Sequence, residues 1–140
     1  MPALWKLCYD GKLVEVRAAL ARGGNVNDKD SNGTTALMWA VIRSHNSIVK
    51  LLLDQPRVKV NEKNNYGETA LHYAAYKNNP EGARLILLHP GFNSANATNN
   101  NNGKTALMEA VGWCKKEVLV ELVKHDSISL DIPDGEFDGR

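Results

Sequence analysis

The chain has 140 residues, 43% hydrophobic and 24% charged, which is enough for one domain with a real core and too apolar for a disordered chain. Seventeen Lys and Arg against sixteen Asp and Glu leave a net charge of +1, without the basic excess that draws a protein to a phosphate backbone or an anionic bilayer, so neither nucleic acid nor membrane is an expected partner. The longest wholly apolar run, Ala36 to Ile42, is too short to span a bilayer, and Lys6 interrupts the N-terminal apolar residues before a secretory core could form. The expectation is a soluble chain in the cytoplasm, with the nucleus as a second compartment.

From the N-terminus, Leu4 to Asp10 and Lys12 to Arg22 read as a helix pair joined at Gly11, with Lys6, Asp10, Lys12, Glu15 and Arg17 giving it a charged outer face. Gly23-Gly24-Asn25-Val26-Asn27 closes this unit. Then comes a phrase that returns twice: Gly33 to Ala40, Gly67 to Ala74 and Gly103 to Ala110 all fit G-x-T-A-L-x-x-A, with glycines 34 and 36 residues apart. In each copy the x-Gly pair supplies a turn with positive φ, and Thr35, Thr69 or Thr105 is placed to cap the helix that follows. Ser44-His45-Asn46, Lys77-Asn78-Asn79-Pro80 and Cys114-Lys115-Lys116 end that helix early. A second helix then carries Ile48, Val49, Leu51, Leu52 and Leu53, or Ala83, Leu85, Ile86, Leu87 and Leu88, or Val118, Leu119, Val120, Leu122 and Val123. Pro56 and Pro90 follow two of these second helices. Ala36, Ala40 and their counterparts allow close packing of first helices, and a pair that cannot bury its own apolar face must stack on its neighbours.

The units run over residues 1–29, 30–63, 64–99 and 100–135. Three residues before the phrase glycines stand Asp30, Asn64 and Asn100; adding 36 to Gly103 gives Gly139, with Glu136 three residues before it. Residues 136–140 therefore read as the start of a further unit, and the chain as a fragment of a longer array.

These phrases resemble the ankyrin repeat, G-x-T-P-L-H-x-A-A with a Val-Asn ending. His72-Tyr73-Ala74-Ala75 keeps the His and the paired Ala; Ala stands for Pro in all three copies, and Met38 and Met108 stand for His, which removes the His-to-turn hydrogen bonding in two of three units. Val26-Asn27 and Val58-Lys59-Val60-Asn61 match the ending. The resemblance covers essentially the whole chain and implies a mainly α fold, an ankyrin-type helical solenoid of helix-turn-helix units joined by β-turn or hairpin loops.

Catalytic patterns are scarce. His45, His72, His89, His125, Cys8 and Cys114 show no metal-ligand spacing, and no phosphate-binding glycine loop or nucleophile elbow occurs. His72 reads as a hydrogen-bonded core residue. The two cysteines, about three units apart, read as free thiols. No cofactor, metal, small-molecule substrate or catalytic residue is expected.

What remains is surface. The resemblance implies that a protein partner binds the concave face made by turn tips and the exposed side of each first helix. The positions carried over by register include Tyr66, Glu68 and Lys104 at the tips, Trp39, Tyr73 and Glu109 six residues past each glycine, and Ile42, Arg43, Tyr76, Lys77 and Trp113 nine or ten past it. Five of the nine aromatic residues fall there, and aromatics with Arg are the types that anchor protein interfaces. Whether Trp39 and Tyr73 are core or surface is left open. The leading reading is a monomeric, non-enzymatic protein-binding scaffold whose strip centres on Tyr76 and Trp113. The alternatives are the targeting or regulatory segment of a larger enzyme or channel, and a substrate for asparagine hydroxylation at Asn27 or Asn61.

Overall fold

The computed structural model describes residues 2–125. They form four helix pairs: α1 (Leu4–Asp10) with α2 (Leu13–Ala21), α3 (Ala36–Ile42) with α4 (Asn46–Leu53), α5 (Ala70–Tyr76) with α6 (Pro80–Leu88), and α7 (Ala106–Gly112) with α8 (Lys116–Val123). The first helices pack in one row, α1 on α3, α3 on α5, α5 on α7, and the second helices in another. The expected residues 136–140 of a fifth unit, and the end of the fourth, lie outside the described residues. No strand occurs among those described; one antiparallel bridge joins Lys29 and Thr35.

Local chemistry sets each boundary. The Oγ1 atoms of Thr35, Thr69 and Thr105 accept the N–H of Met38, His72 and Met108 at 3.1, 3.3 and 3.2 Å, so all three phrases open a capped helix. Each first helix ends on a left-handed residue in the same register: Gly11 at φ 75°, Ser44 at 59°, Asn78 at 53° and Cys114 at 55°. At Gly11 a side chain is also excluded by space, since a Cβ there would lie 2.8 Å from the His45 ring. The core is one continuous layer between the rows, with Val41, Ile48, Leu52, Leu71, Ile86 and Leu122 fully enclosed and Ala40, Ala74 and Ala110 at the close approaches of first helices.

One register expectation needs correction. The turn-setting residue of the fourth unit is Asn99, not Asn100. Asp30 N–H reaches Thr34 O and Asn64 N–H reaches Glu68 O, whereas Asn99 N–H reaches Lys104 O, all at 3.0 Å. The third tip thus carries one extra residue. Asn100, displaced outward, donates its N–H to Tyr66 O of the preceding tip.

Polar side chains fix one unit against the next. The Asn27 amide donates to Arg57 O and accepts Lys59 N–H, and Asn61 does the same with Gly91 O and Asn93 N–H, at 2.8–2.9 Å. Buried Asn79 caps α6 through Gly82 N–H, donates to Val41 O, and exchanges reciprocal amide bonds with Asn46. His72 accepts Thr69 N–H at Nδ1, which leaves its proton on Nε2 for the Lys104 carbonyl of the next unit, 2.9 Å away. In the second unit, Met38 Sδ reproduces only the first of these bonds, accepting Thr35 N–H at 3.5 Å.

Candidate functional site

The site is the face shared by the first helices and the turn tips. Its most open part is Tyr76 on α5 and Trp113 just past α7. They are 42% and 57% exposed, and their rings meet edge to face with centroids 5.8 Å apart. Lys77 Nζ lies 4.9 Å from the Tyr76 centroid. Gly112, in the register of Tyr76, leaves the adjacent space open, and Lys104 Nζ stands 3.6 Å from where its Cβ would be. Two exposed rings with two ammonium groups beside them make an amphipathic platform of the type that anchors an interface.

A second aromatic group sits at the N-terminal end. Trp39 is half-buried; its ring meets Tyr9 edge to face at 4.9 Å and Trp5 at 6.3 Å, and its indole N–H donates to Asp30 Oδ2 at 3.0 Å. Arg43 covers the Tyr9 ring at 4.7 Å, with Lys6 on the same ring at 4.6 Å. Tyr73 is also half-buried: its hydroxyl accepts the Asn64 amide at 2.8 Å, and the same amide nitrogen donates to Thr34 Oγ1. Burial pushes the Tyr73 phenol above its ordinary range, with the Asn64 hydrogen bond pulling the other way. Trp39 and Tyr73 are therefore both: one edge packs between units while part of the ring faces outward.

The remaining positions divide. Ile42 and Glu68 are half-buried, and Glu68 Oε1 accepts the Asn99 amide at 3.2 Å. Glu109 is buried, 7% exposed, so it offers little to a partner. Tyr66 is exposed at a tip, apart from both aromatic groups, its N–H held by Asn64 Oδ1. The structure thus gathers Tyr76, Lys77, Lys104 and Trp113 at one end, and Trp39 with Arg43 at the other.

Register counting missed Trp5 and Tyr9, because the first unit lacks the G-x-T-A-L phrase from which positions were counted. Another marker was present: Gly11 occupies the left-handed position of Ser44, Asn78 and Cys114. Tyr9, two residues before it, aligns with Ile42, Tyr76 and Gly112.

Among the described residues no three His, Cys, Asp or Glu side chains gather as a metal site, and no helix is long and apolar enough to cross a membrane. Cys8 and Cys114 are both free. Cys8 is enclosed on α1, and burial, with Asp28 adding to it, pushes its thiol up to about 12.

Stacked helix pairs with capped first helices, left-handed breaks and amide ties between periods define a helical repeat protein. The family model described as Ankyrin repeats (3 copies) matches residues 4–96 and again 60–134, and the chain belongs to the ankyrin repeat family. Among curated proteins, none matches it. Ankyrin repeats are in general protein–protein interaction modules.

Proposed function

We propose that this chain is a non-enzymatic module that holds a partner polypeptide on its concave face, with Tyr76 and Trp113 as the central anchors. The observation that carries the reading is the pair of large rings, preformed in edge-to-face contact yet open to solvent, on the face that the fold leaves accessible. Desolvating two such rings is the usual source of an interface hot spot. Glu68 and Tyr66 at the tips, and Arg43, Lys77 and Lys104 around the rings, set register and polarity at the rim.

The test is affinity capture from cell extract with the wild-type chain and a Tyr76→Ala/Trp113→Ala variant side by side, read by mass spectrometry and followed by titration of the captured protein. Both side chains protrude from the core, so helicity by circular dichroism should match the wild type. Binding should weaken by at least about 2 kcal/mol. A captured protein that binds both forms equally would remove this strip from the function.

A further inference from the structure

Resting on the concave-face reading, we infer that the occupant is an acidic segment held in an extended polyproline-like conformation, with carboxylates three residues apart. The argument begins with an asymmetry among the charges. Carboxylates around the strip are already engaged or enclosed: Asp30 accepts Trp39 Nε1–H and two turn N–H groups, Asp10 pairs with Lys6, Glu68 accepts the Asn99 amide, and Glu109 is buried. The cations are not so matched. Among the described residues, Arg43, Lys77 and Lys104 have no carboxylate within ion-pair distance; Arg43 and Lys77 rest on the Tyr9 and Tyr76 rings, and Lys104 Nζ fills the space left by Gly112. One cation therefore stands in each of the second, third and fourth units, beside exposed aromatic surface, and the missing counter-charge must come from the occupant.

The spacing of the first helices selects the conformation. Adjacent packed helices lie roughly 8–10 Å apart. A polyproline-type chain rises about 3.1 Å per residue with three residues per turn, so positions i, i+3 and i+6 return to one edge about 9.3 Å apart. A β-strand repeats its face every ~6.7 Å and would drift off the cations within two rungs. The other edges of a polyproline prism are free to lay apolar residues on Tyr76 and Trp113, the arrangement by which aromatic grooves take such chains.

Fluorescence anisotropy with fluorescein-labelled peptides tests this directly. A peptide of three Glu-Pro-Pro triplets should bind about tenfold tighter than the matched Gln-Pro-Pro peptide, and tighter still than Lys-Pro-Pro, with affinity falling as salt rises. An Arg43→Glu/Lys77→Glu variant, checked for native helicity, should lose the preference for the Glu peptide and bind the Lys peptide better than the wild type does. Equal binding of the Gln and Glu peptides, still weakened by Tyr76→Ala/Trp113→Ala, would overturn the acidic occupant while leaving the concave-face reading standing. Binding of no peptide would also overturn it, with the face itself then judged by the capture experiment. Tighter, charge-dependent binding of a single-stranded oligothymidylate than of the Glu peptide would overturn it in favour of nucleic acid.

Discussion

Replacing Asn79 with Ala removes a single side chain that serves three partners. It is 3% exposed, its Oδ1 caps α6 through Gly82 N–H at 3.0 Å, and its Nδ2 donates to Val41 O at 3.0 Å and Asn46 Oδ1 at 2.9 Å. A lost N-cap costs about 1 kcal/mol. The two further bonds contribute about 1 kcal/mol each, and the Asn46 amide is left short of a partner in a half-buried site. The sum is about 3 kcal/mol, large against the stability of a domain this size. Urea denaturation followed by tryptophan fluorescence measures it, with the slope unchanged if the two-state description holds. The reciprocal amide pair adds a sharper check: in a cycle with Asn46→Ala, the double variant should be less destabilised than the two single losses combined, by about 1 kcal/mol. A loss under 1 kcal/mol for Asn79→Ala, or a coupling of zero, would refute the view that buried amides hold the second and third units together.

Three further outcomes follow from the described geometry. Cys8 keeps its proton when folded up to about pH 12, whereas the unfolded thiol releases it near its ordinary value of 9.0. The folded state then binds more protons above pH 9, so stability falls as pH rises, by up to about 1.4 kcal/mol per pH unit. Melting temperatures from pH 8.5 to 10.5 should decline more steeply for the wild type than for Cys8→Ala, and parallel curves would contradict the burial of that thiol. Because Cys8 is enclosed and Cys114 exposed, a chromogenic disulfide reagent at pH 8 should titrate one thiol per folded chain and two in guanidinium. Ser44→Gly should raise stability by about 0.5 kcal/mol, since Ser44 holds φ 59° where a side chain is strained; Asn78→Gly should gain less, because Asn tolerates this region, and a decrease at Ser44 in thermal melts would argue against strain at that position.

Much of the architecture was legible because its determinants are local and recur. The Thr caps, the turn glycines and the Ala and Leu positions sit at fixed offsets, so three copies of one phrase place α3, α5 and α7 to within a residue. Legibility failed where composition carries no register. In the run Asn99 to Asn102 four identical side chains hide which one bonds back across the turn, and the structure chooses Asn99 because the third tip holds an extra residue. The aromatic positions were found by counting, but their split into two groups depends on distances between units that no single repeat encodes: Trp39 joins Tyr9 of the preceding unit, and Tyr76 joins Trp113 of the following one. Asn79 was read only as a helix breaker, since its partners Val41 and Asn46 lie 38 and 33 residues earlier.

The ties made by Asn27 and Asn61 carry a consequence for rearranging this chain. Each amide grips main-chain groups 30 to 32 residues ahead, and so works as a ruler that recognises one whole period and nothing else. Contacts between alanine-lined faces would tolerate a slide of a fraction of a helical turn; a two-point grip on a peptide N–H and a carbonyl would not. Excising a full period from Gly33 to Tyr66 would present Asn27 with the loop that Asn61 now holds, restoring the grip, while a cut a few residues longer or shorter would leave it empty. Units of this array are therefore interchangeable as complete modules, and errors of partial length are the ones the structure rejects.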